Sequence, residues 1–370
     1  MNREAPLPNT LPTGQPNREF LRDRRLLVLG LGVLVGELAF LLAWPHGEDF
    51  WQHYLAAQKL LGIVTPAQQQ ELWPYPYGYP YLSFVALLIS PLAVLPPLLA
   101  ISLWTALSLM GLGLANWMFA GLLLPAGGNR RALWALGLSI WPASFVSVWM
   151  GQSAALMVLS LAVCAWLVRR GRSGRAGLAL SLALIKPHLL VGTLAGLALH
   201  RRGRILGGFA CGLAGLLLLS WALGPLGPPL DVEAYLPDWF LGGGFSVSLV
   251  GRLYPFSPPL AVGLALVGLV GLAIWWWRHP RPVGVEDAAL GFTLSLLFIP
   301  HLRVHDLVLL NPVYMLALQR GEPWSWVSAL LLSLGALVST RSMLLDPITL
   351  ALVLLAISVW RVRGVTRGLG

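Results

Sequence analysis

Apolar runs close to membrane-spanning length follow one another along almost the whole chain, from Leu26–Trp44 to residues 347–360. A bilayer-crossing helix needs about 20 apolar residues, so there is room for about a dozen. Only 11% of the residues are charged, against 57% hydrophobic, whereas a water-soluble chain carries about 25% charge. That shortage of polar surface excludes a soluble globular enzyme, a disordered protein and a nucleic-acid-binding domain. The sequence predicts an all-α polytopic transmembrane helical bundle with about 11–13 membrane segments.

The net charge of +10 sits in short arginine runs between apolar segments: Arg22–Arg25, Arg169–Arg175, Arg201–Arg204, Arg278 with Arg281, and Arg361–Arg367. This is the pattern of positive-inside topology, and not of nucleic-acid binding. Cys164 and Cys211 both lie within apolar runs and read as small core residues.

Residues 1–20 are polar and carry Pro6, Pro8, Pro12 and Pro16, which predicts a disordered cytoplasmic tail. Residues 21–370 read as a single integral membrane domain. The run Leu26–Trp44 lacks a small-residue cleavage site, so an uncleaved first helix is expected, N-terminus inside. Two long non-spanning pieces follow, 45–80 and 224–258. In the first, Phe50, Tyr54, Ala57 and Leu61 recur at helical spacing. That predicts an interfacial helix over Asp49–Leu61, with Gln52, His53, Gln58 and Lys59 on its polar side. Trp73–Tyr81 is an aromatic-proline cluster suited to the headgroup layer, as is Trp275–Trp277. The second piece carries Asp231, Glu233, Asp238 and Gly242–Gly244, a structured loop with a mobile section. The remaining runs are 81–95, 98–124, 132–150, 153–168, 176–200, 205–223, 259–277, 288–300, 304–318 and 324–339. If every run crosses, Arg169–Arg175 falls outside, against the charge rule, so one early run must be re-entrant or merged with its neighbour. From residue 201 onward the count places 224–258, His301–Asp306 and Thr340–Pro347 on the same outer side as Asp49.

Neither a P-loop nor a strand-to-helix G-x-G-x-x-G is present, so no nucleotide site is expected. The polar residues that remain are few. Glu48 and Asp49 follow the first span, where a carboxylate can cap a helix or serve as a base at the membrane boundary. Lys186 interrupts Leu182–Leu190 together with Pro187 and His188. Of 25 basic residues only Lys59 and Lys186 are lysines. A compact ammonium beside a proline-broken helix suits a phosphate, with snorkelling to the interface as the ordinary alternative. His188 reads as a turn residue. Pro300–Pro312 concentrates His301, Arg303, His305 and Asp306 between apolar runs. A polar turn, or cationic stabilisation of a leaving group, fits it better than a metal site. Gly151-Gln152-Ser153 is a polar interruption.

These pieces resemble, in order, the membrane mannosyltransferases of glycosyltransferase family 87. Asp49-Phe-Trp-Gln-His-Tyr-Leu-Ala-Ala57 is similar to that family's D-F-x-x-Y-x-A-A. Pro91–Pro96 resembles P-L-A-x-L-P, Gly151-Gln152 resembles G-Q-x-N, and Lys186-Pro187 resembles a K-P turn. Pro300-His301 with Asp306–Leu310 resembles a late outer-loop motif. Ser153 stands where the family often has Asn, and Gln52-His53 where it is often more aromatic. The resemblance covers roughly residues 25–320.

It implies a GT-C-type bundle in the cell membrane with its active site on the non-cytoplasmic side. It further implies Asp49 as catalytic base, with Lys186, His301 and Arg303 at the donor phosphate. Glu48, Tyr54, Gln152, His188, His305 and Asp306 would support or bind substrate. The expected partners are a polyprenyl-phosphate-linked sugar donor, a glycolipid or glycan acceptor and the lipid bilayer, with no nucleic acid, no metal and no other cofactor. A lipid-linked sugar transporter or flippase is the alternative, though no internal repeat is visible. A non-catalytic scaffold would need no such polar set.

Overall fold

The computed structural model describes residues 24–43, 47–73, 79–124, 128–226, 246–278, 285–338 and 347–368. The expected tail 1–20, the acidic loop residues Asp231, Glu233 and Asp238, Gly242–Gly244, Arg281 and most of Thr340–Pro347 lie outside these. The elements among the described residues are all helices, with no strand. The elements are α1 (Arg24–Ala43), α2 (Glu48–Leu60), α3 (Pro66–Leu72), α4 (Ser83–Ala93), α5 (Pro97–Leu123), α6 (Gly128–Ser139), α7 (Pro142–Trp149), α8 (Ala154–Arg169), α9 (Ser173–Ser181), α10 (Val191–Leu199), α11 (Gly203–Leu223), α12 (Leu249–Leu253), α13 (Pro258–Arg278), α14 (Val285–Phe298), α15 (Asn311–Gln319), α16 (Pro323–Val338) and α17 (Pro347–Gly368). Short 3-10 turns cover Leu182–Ile185, Pro187–Leu190 and Val304–Leu310.

Three helices, α5, α11 and α13, are each long and apolar enough to cross a bilayer. Arg131–Ser139 and Pro142–Trp149 act as a fourth, bent by 53°. The bend falls where Pro142 cannot donate into a continuous helix. Met110, Leu218, Trp221 and Val267 are more than half exposed on these helices. A water-soluble surface does not tolerate such apolar stretches, and a lipid-facing one requires them. The most enclosed passage is Val304–Gln319, whose Leu307, Leu309, Tyr314 and Met315 are buried. Asn311 pins it, its Nδ2 donating to Asn116 Oδ1 (3.3 Å), the Leu138 carbonyl (3.3 Å) and Ser144 Oγ (3.2 Å).

Contacts at the helix ends resolve the topology. Arg169 Nη1 donates to the carbonyls of Gly121 and Leu122, so α5 and α8 end together. A Cβ on Gly208 would lie 2.0 Å from the Gly174 carbonyl oxygen, and one on Gly212 2.1 Å from Ser181 Oγ. This close seam runs α9 and α11 parallel, so Ser173 and Gly203 start from one end. Of the arginines with described side chains, all but Arg252 and Arg303 lie at that arginine end. Asp49 lies at the other.

Two expected spans are therefore not spans. Run 81–95 forms α4, whose 11 residues reach only about 16 Å at about 1.5 Å per residue. Both its ends stay at the Asp49 end. Ser83 Oγ donates to Gly224 O (2.6 Å), while the carbonyls of Ala93 and Leu95 accept from Gln58 and Tyr54 on α2. Run 176–200 belongs to a hairpin of Ser173–Ile185 and Pro187–Leu199, each arm about 20 Å long against a core of about 30 Å. Pro187 causes the reversal: it disfavours helix at the residue before it, and Lys186 takes φ −133°, ψ 75°. With α4 and the hairpin removed, Arg169–Arg175 joins the other arginines. The two corrections cancel in parity after residue 201.

Smaller corrections have simple causes. Helix α2 begins one residue early, and its Leu61 is exposed while Gln52 and His53 are buried. Its polar side faces protein: Tyr79 and Tyr81 meet His53, and Gln58 donates to the Ala93 carbonyl at the end of α4. Cys211 is exposed and Cys164 half-buried, and both are free. Trp276 is buried against Gly196, Gly291 and His200, while Trp277 remains exposed.

Candidate active site

The site is assembled from two helix ends that satisfy each other. The first N–H groups of a helix and the last C=O groups lack intrahelical partners. At the α2–α7 junction Gly47 N–H donates to Trp149 O (3.0 Å) and Asp49 N–H to Met150 O (3.1 Å). Gly47 (φ 53°) and Gly151 (φ 69°) adopt left-handed conformations and nearly touch. A Cβ on Gly151 would lie 2.8 Å from Phe50 Cβ and 2.9 Å from Gly47 Cα. Trp104 Nε1 donates to Gly151 O (3.0 Å), and its ring stacks with that of Phe50. The junction leaves no room for slippage, so Asp49 has a fixed seat, half-buried, with Gln52 Nε2 3.4 Å from its Oδ1. Glu48 opens the helix, and its side chain lies outside the description.

Around that seat are buried polar atoms with no hydrogen-bond partner: Gln52 Oε1 and His53 Nε2 on α2, Gln152 Oε1 and Ser153 Oγ on the next turn. Buried polar groups are normally paired, so these atoms remain available to hydrogen-bond a further group. His53 Nδ1 lies 3.1 Å from Tyr79 Oη, and its ring meets that of Tyr81 at 4.5 Å. Burial first, then the Lys186 ammonium, holds its imidazole down at about 3, so it is neutral at physiological pH. Tyr54 is a brace, its hydroxyl donating to Leu95 O at 2.7 Å.

Lys186 occupies the hairpin tip, 5% exposed. It is not the lone ammonium that the sequence suggests: Nζ lies 2.6 Å from Oδ1 of Asp306, itself fully buried. The 3-10 turn presents that carboxylate, whose Oδ2 also accepts the Arg303 N–H (3.1 Å). His305 Nε2 stands 3.7 Å from Oδ1. The His188 ring meets that of His301 at 5.4 Å, which ties the hairpin tip to the loop a second time. His301 is pushed well below the usual imidazole range, by burial and then by Arg303.

The structure thus brings Lys186, His188, His301, Arg303, His305 and Asp306 into one cluster, which the charge of Lys186 links to His53 and so to the Asp49 helix. Two parts of the sequence reading were incomplete. His53 stands four residues from Asp49, the spacing that puts two side chains on one helical face. Tyr79 and Tyr81 belong to the site and not only to the headgroup layer. Among the described residues no His, Cys, Asp and Glu group could hold a metal ion.

A model of glycosyltransferase family 87 matches residues 79–300. The match contains Tyr79, the Gly151–Ser153 turn and the Lys186–His188 tip, while α2 with Asp49 docks on it from outside. No curated protein and no solved structure matches the chain. Matched over more than half its length, and folded as an all-α membrane bundle, the chain belongs to glycosyltransferase family 87.

Proposed function

We propose that this membrane glycosyltransferase moves a hexose, mannose foremost, from a polyprenyl-phosphate carrier to a hydroxyl of a glycolipid or glycan, with inversion at the anomeric carbon. The observation that carries the reading is the seat of Asp49. It is a half-buried carboxylate locked by backbone bonds to the α7 end, beside unpartnered Gln52, Gln152 and Ser153 atoms. Asp49 removes the proton of the acceptor hydroxyl while that oxygen attacks the anomeric carbon. The bond from that carbon to the phosphate oxygen breaks, and the lipid phosphate leaves with the electron pair. An ammonium has three donors, so Lys186 can hold Asp306 and still donate to the phosphate, with Arg303 beside it. The unpartnered polar atoms then receive sugar hydroxyls. The leaving group is a monophosphate, and no step calls on a metal ion. By the positive-inside rule the arginine end faces the cytoplasm, so the transfer opens on the opposite side.

Purified protein given labelled polyprenyl-phosphate-mannose and a panel of glycolipid acceptors is expected to move label, with α-linked product from a β-linked donor. Retention of configuration would overturn the single displacement, and transfer from a nucleotide sugar alone would overturn the lipid donor. Translocation of the labelled lipid across vesicles without transfer would favour the flippase alternative.

A further inference from the structure

At the arginine end, α5, α6 and α8 enclose a cavity of about 430 Å³. Its lining joins an apolar set, Trp117, Met118 and Trp166, to a basic set, Arg131, Arg169 and Arg170. Arg169 is occupied with the α5 carbonyls of Gly121 and Leu122. The Arg170 guanidinium lies 3.9 Å from the centre of the Trp166 ring. Arg131 Nε is buried and has no hydrogen-bond partner. Between Glu71 and Asp231, the stretch that carries all three arginines, the sequence has no Asp or Glu. Among the described residues none of the three arginines has a carboxylate partner. The second half of the same end differs: there Arg320 pairs with Glu286, Arg361 with Glu322, and Arg363 with Asp287.

We propose that this cavity binds the phosphate headgroup of an anionic phospholipid from the leaflet at the arginine end, held by Arg131 and Arg170. A guanidinium fork matches phosphate oxygens, and basic pockets between helices near a membrane surface take such headgroups. The occupant is a lipid and not a free anion because Trp117, which lines the cavity, shares an exposed apolar face of α5 with Met110 and Leu114. There Met110 (70% exposed), Leu114 (53%) and Trp117 (42%) form an apolar track for an acyl chain.

Native mass spectrometry of the full-length protein, titrated separately with phosphatidylglycerol and phosphatidylcholine, tests this. Wild type is expected to prefer phosphatidylglycerol by about tenfold or more, the scale of one or two charge-assisted hydrogen bonds. The double variant Arg131→Gln/Arg170→Gln is expected to lose the preference. A variant outside the cavity, Arg201→Gln/Arg204→Gln, is expected to keep it. Equal loss in both double variants would reduce the effect to diffuse surface charge and overturn the site. Full displacement of the lipid by excess inorganic phosphate would overturn the lipid assignment in favour of a free anion. No preference in wild type would overturn the proposal outright.

Discussion

The two ends of the bundle handle charge in opposite ways. At the arginine end, charge is plentiful and much of it faces outward, and among the described residues Glu286, Asp287 and Glu322 pair with part of it. At the Asp49 end, the ionisable groups among the described residues are mostly buried or half-buried, and held by particular neighbours, as Lys186 is by Asp306. Exposed charge acts at long range and tolerates small displacements, which suits orientation and lipid contact. Buried charge is expensive unless its geometry is right, so it is retained where geometry matters. The difference matches the proposed division, with orientation at one end and sugar transfer at the other.

Substitutions can break this comparison in graded steps. Asp49→Asn removes the proposed base without changing the volume, and turnover is expected to fall by about 10²- to 10⁴-fold with an unchanged unfolding midpoint. Gly151→Ala puts a methyl where Phe50 and Gly47 already sit. Displacing the α2 head by about 1 Å should cost up to about 100-fold in kcat, more than it costs in stability. Asp306→Asn leaves Lys186 buried without its counter-charge. Thermal unfolding should register a loss of about 3–5 kcal/mol. The double change Lys186→Met/Asp306→Leu should recover stability and not activity, since a paired ion can be replaced by apolar groups but a phosphate donor cannot.

The effect of pH is smaller. Folded His53 stays neutral down to about 3, whereas the unfolded side chain protonates near 6.5. Between those values the unfolded chain binds more protons, so stability falls on acidification, by about 2 kcal/mol from pH 6.5 to pH 5. His53→Gln should flatten that slope in a pH series of unfolding midpoints. The least effect belongs to the arginine end: Arg320→Gln breaks its partly exposed pair with Glu286 at about 1 kcal/mol or less, with transfer unchanged.

Much of the site could be read along the chain because each piece is local. Asp49 follows the first apolar run, Lys186-Pro187 breaks another, and His301–Asp306 sits between two more. The pairing of Lys186 with Asp306 could not be read, since it joins residues 120 apart in the chain through folding alone. The α9–α10 hairpin was hidden for a different reason. An apolar stretch of 25 residues has the same composition whether it crosses once or turns back, and only the glycine seam between α9 and α11 decides. The burial of Gln52 and His53 was hidden by reading α2 as amphipathic, although its polar side is covered by neighbours distant in sequence. The parity of the arginine runs did carry information: it signalled a missing reversal, and the structure contains two.

The central claim is that the carboxylate at the head of α2 drives the chemical step and not merely binding. Single-turnover transfer by wild type and Asp49→Asn at saturating donor, with donor affinity measured on the same preparations, tests it directly. The account predicts near-equal donor affinity and a transfer rate lower by at least about 100-fold in the variant. A variant that binds donor normally and transfers sugar at the wild-type rate would contradict it.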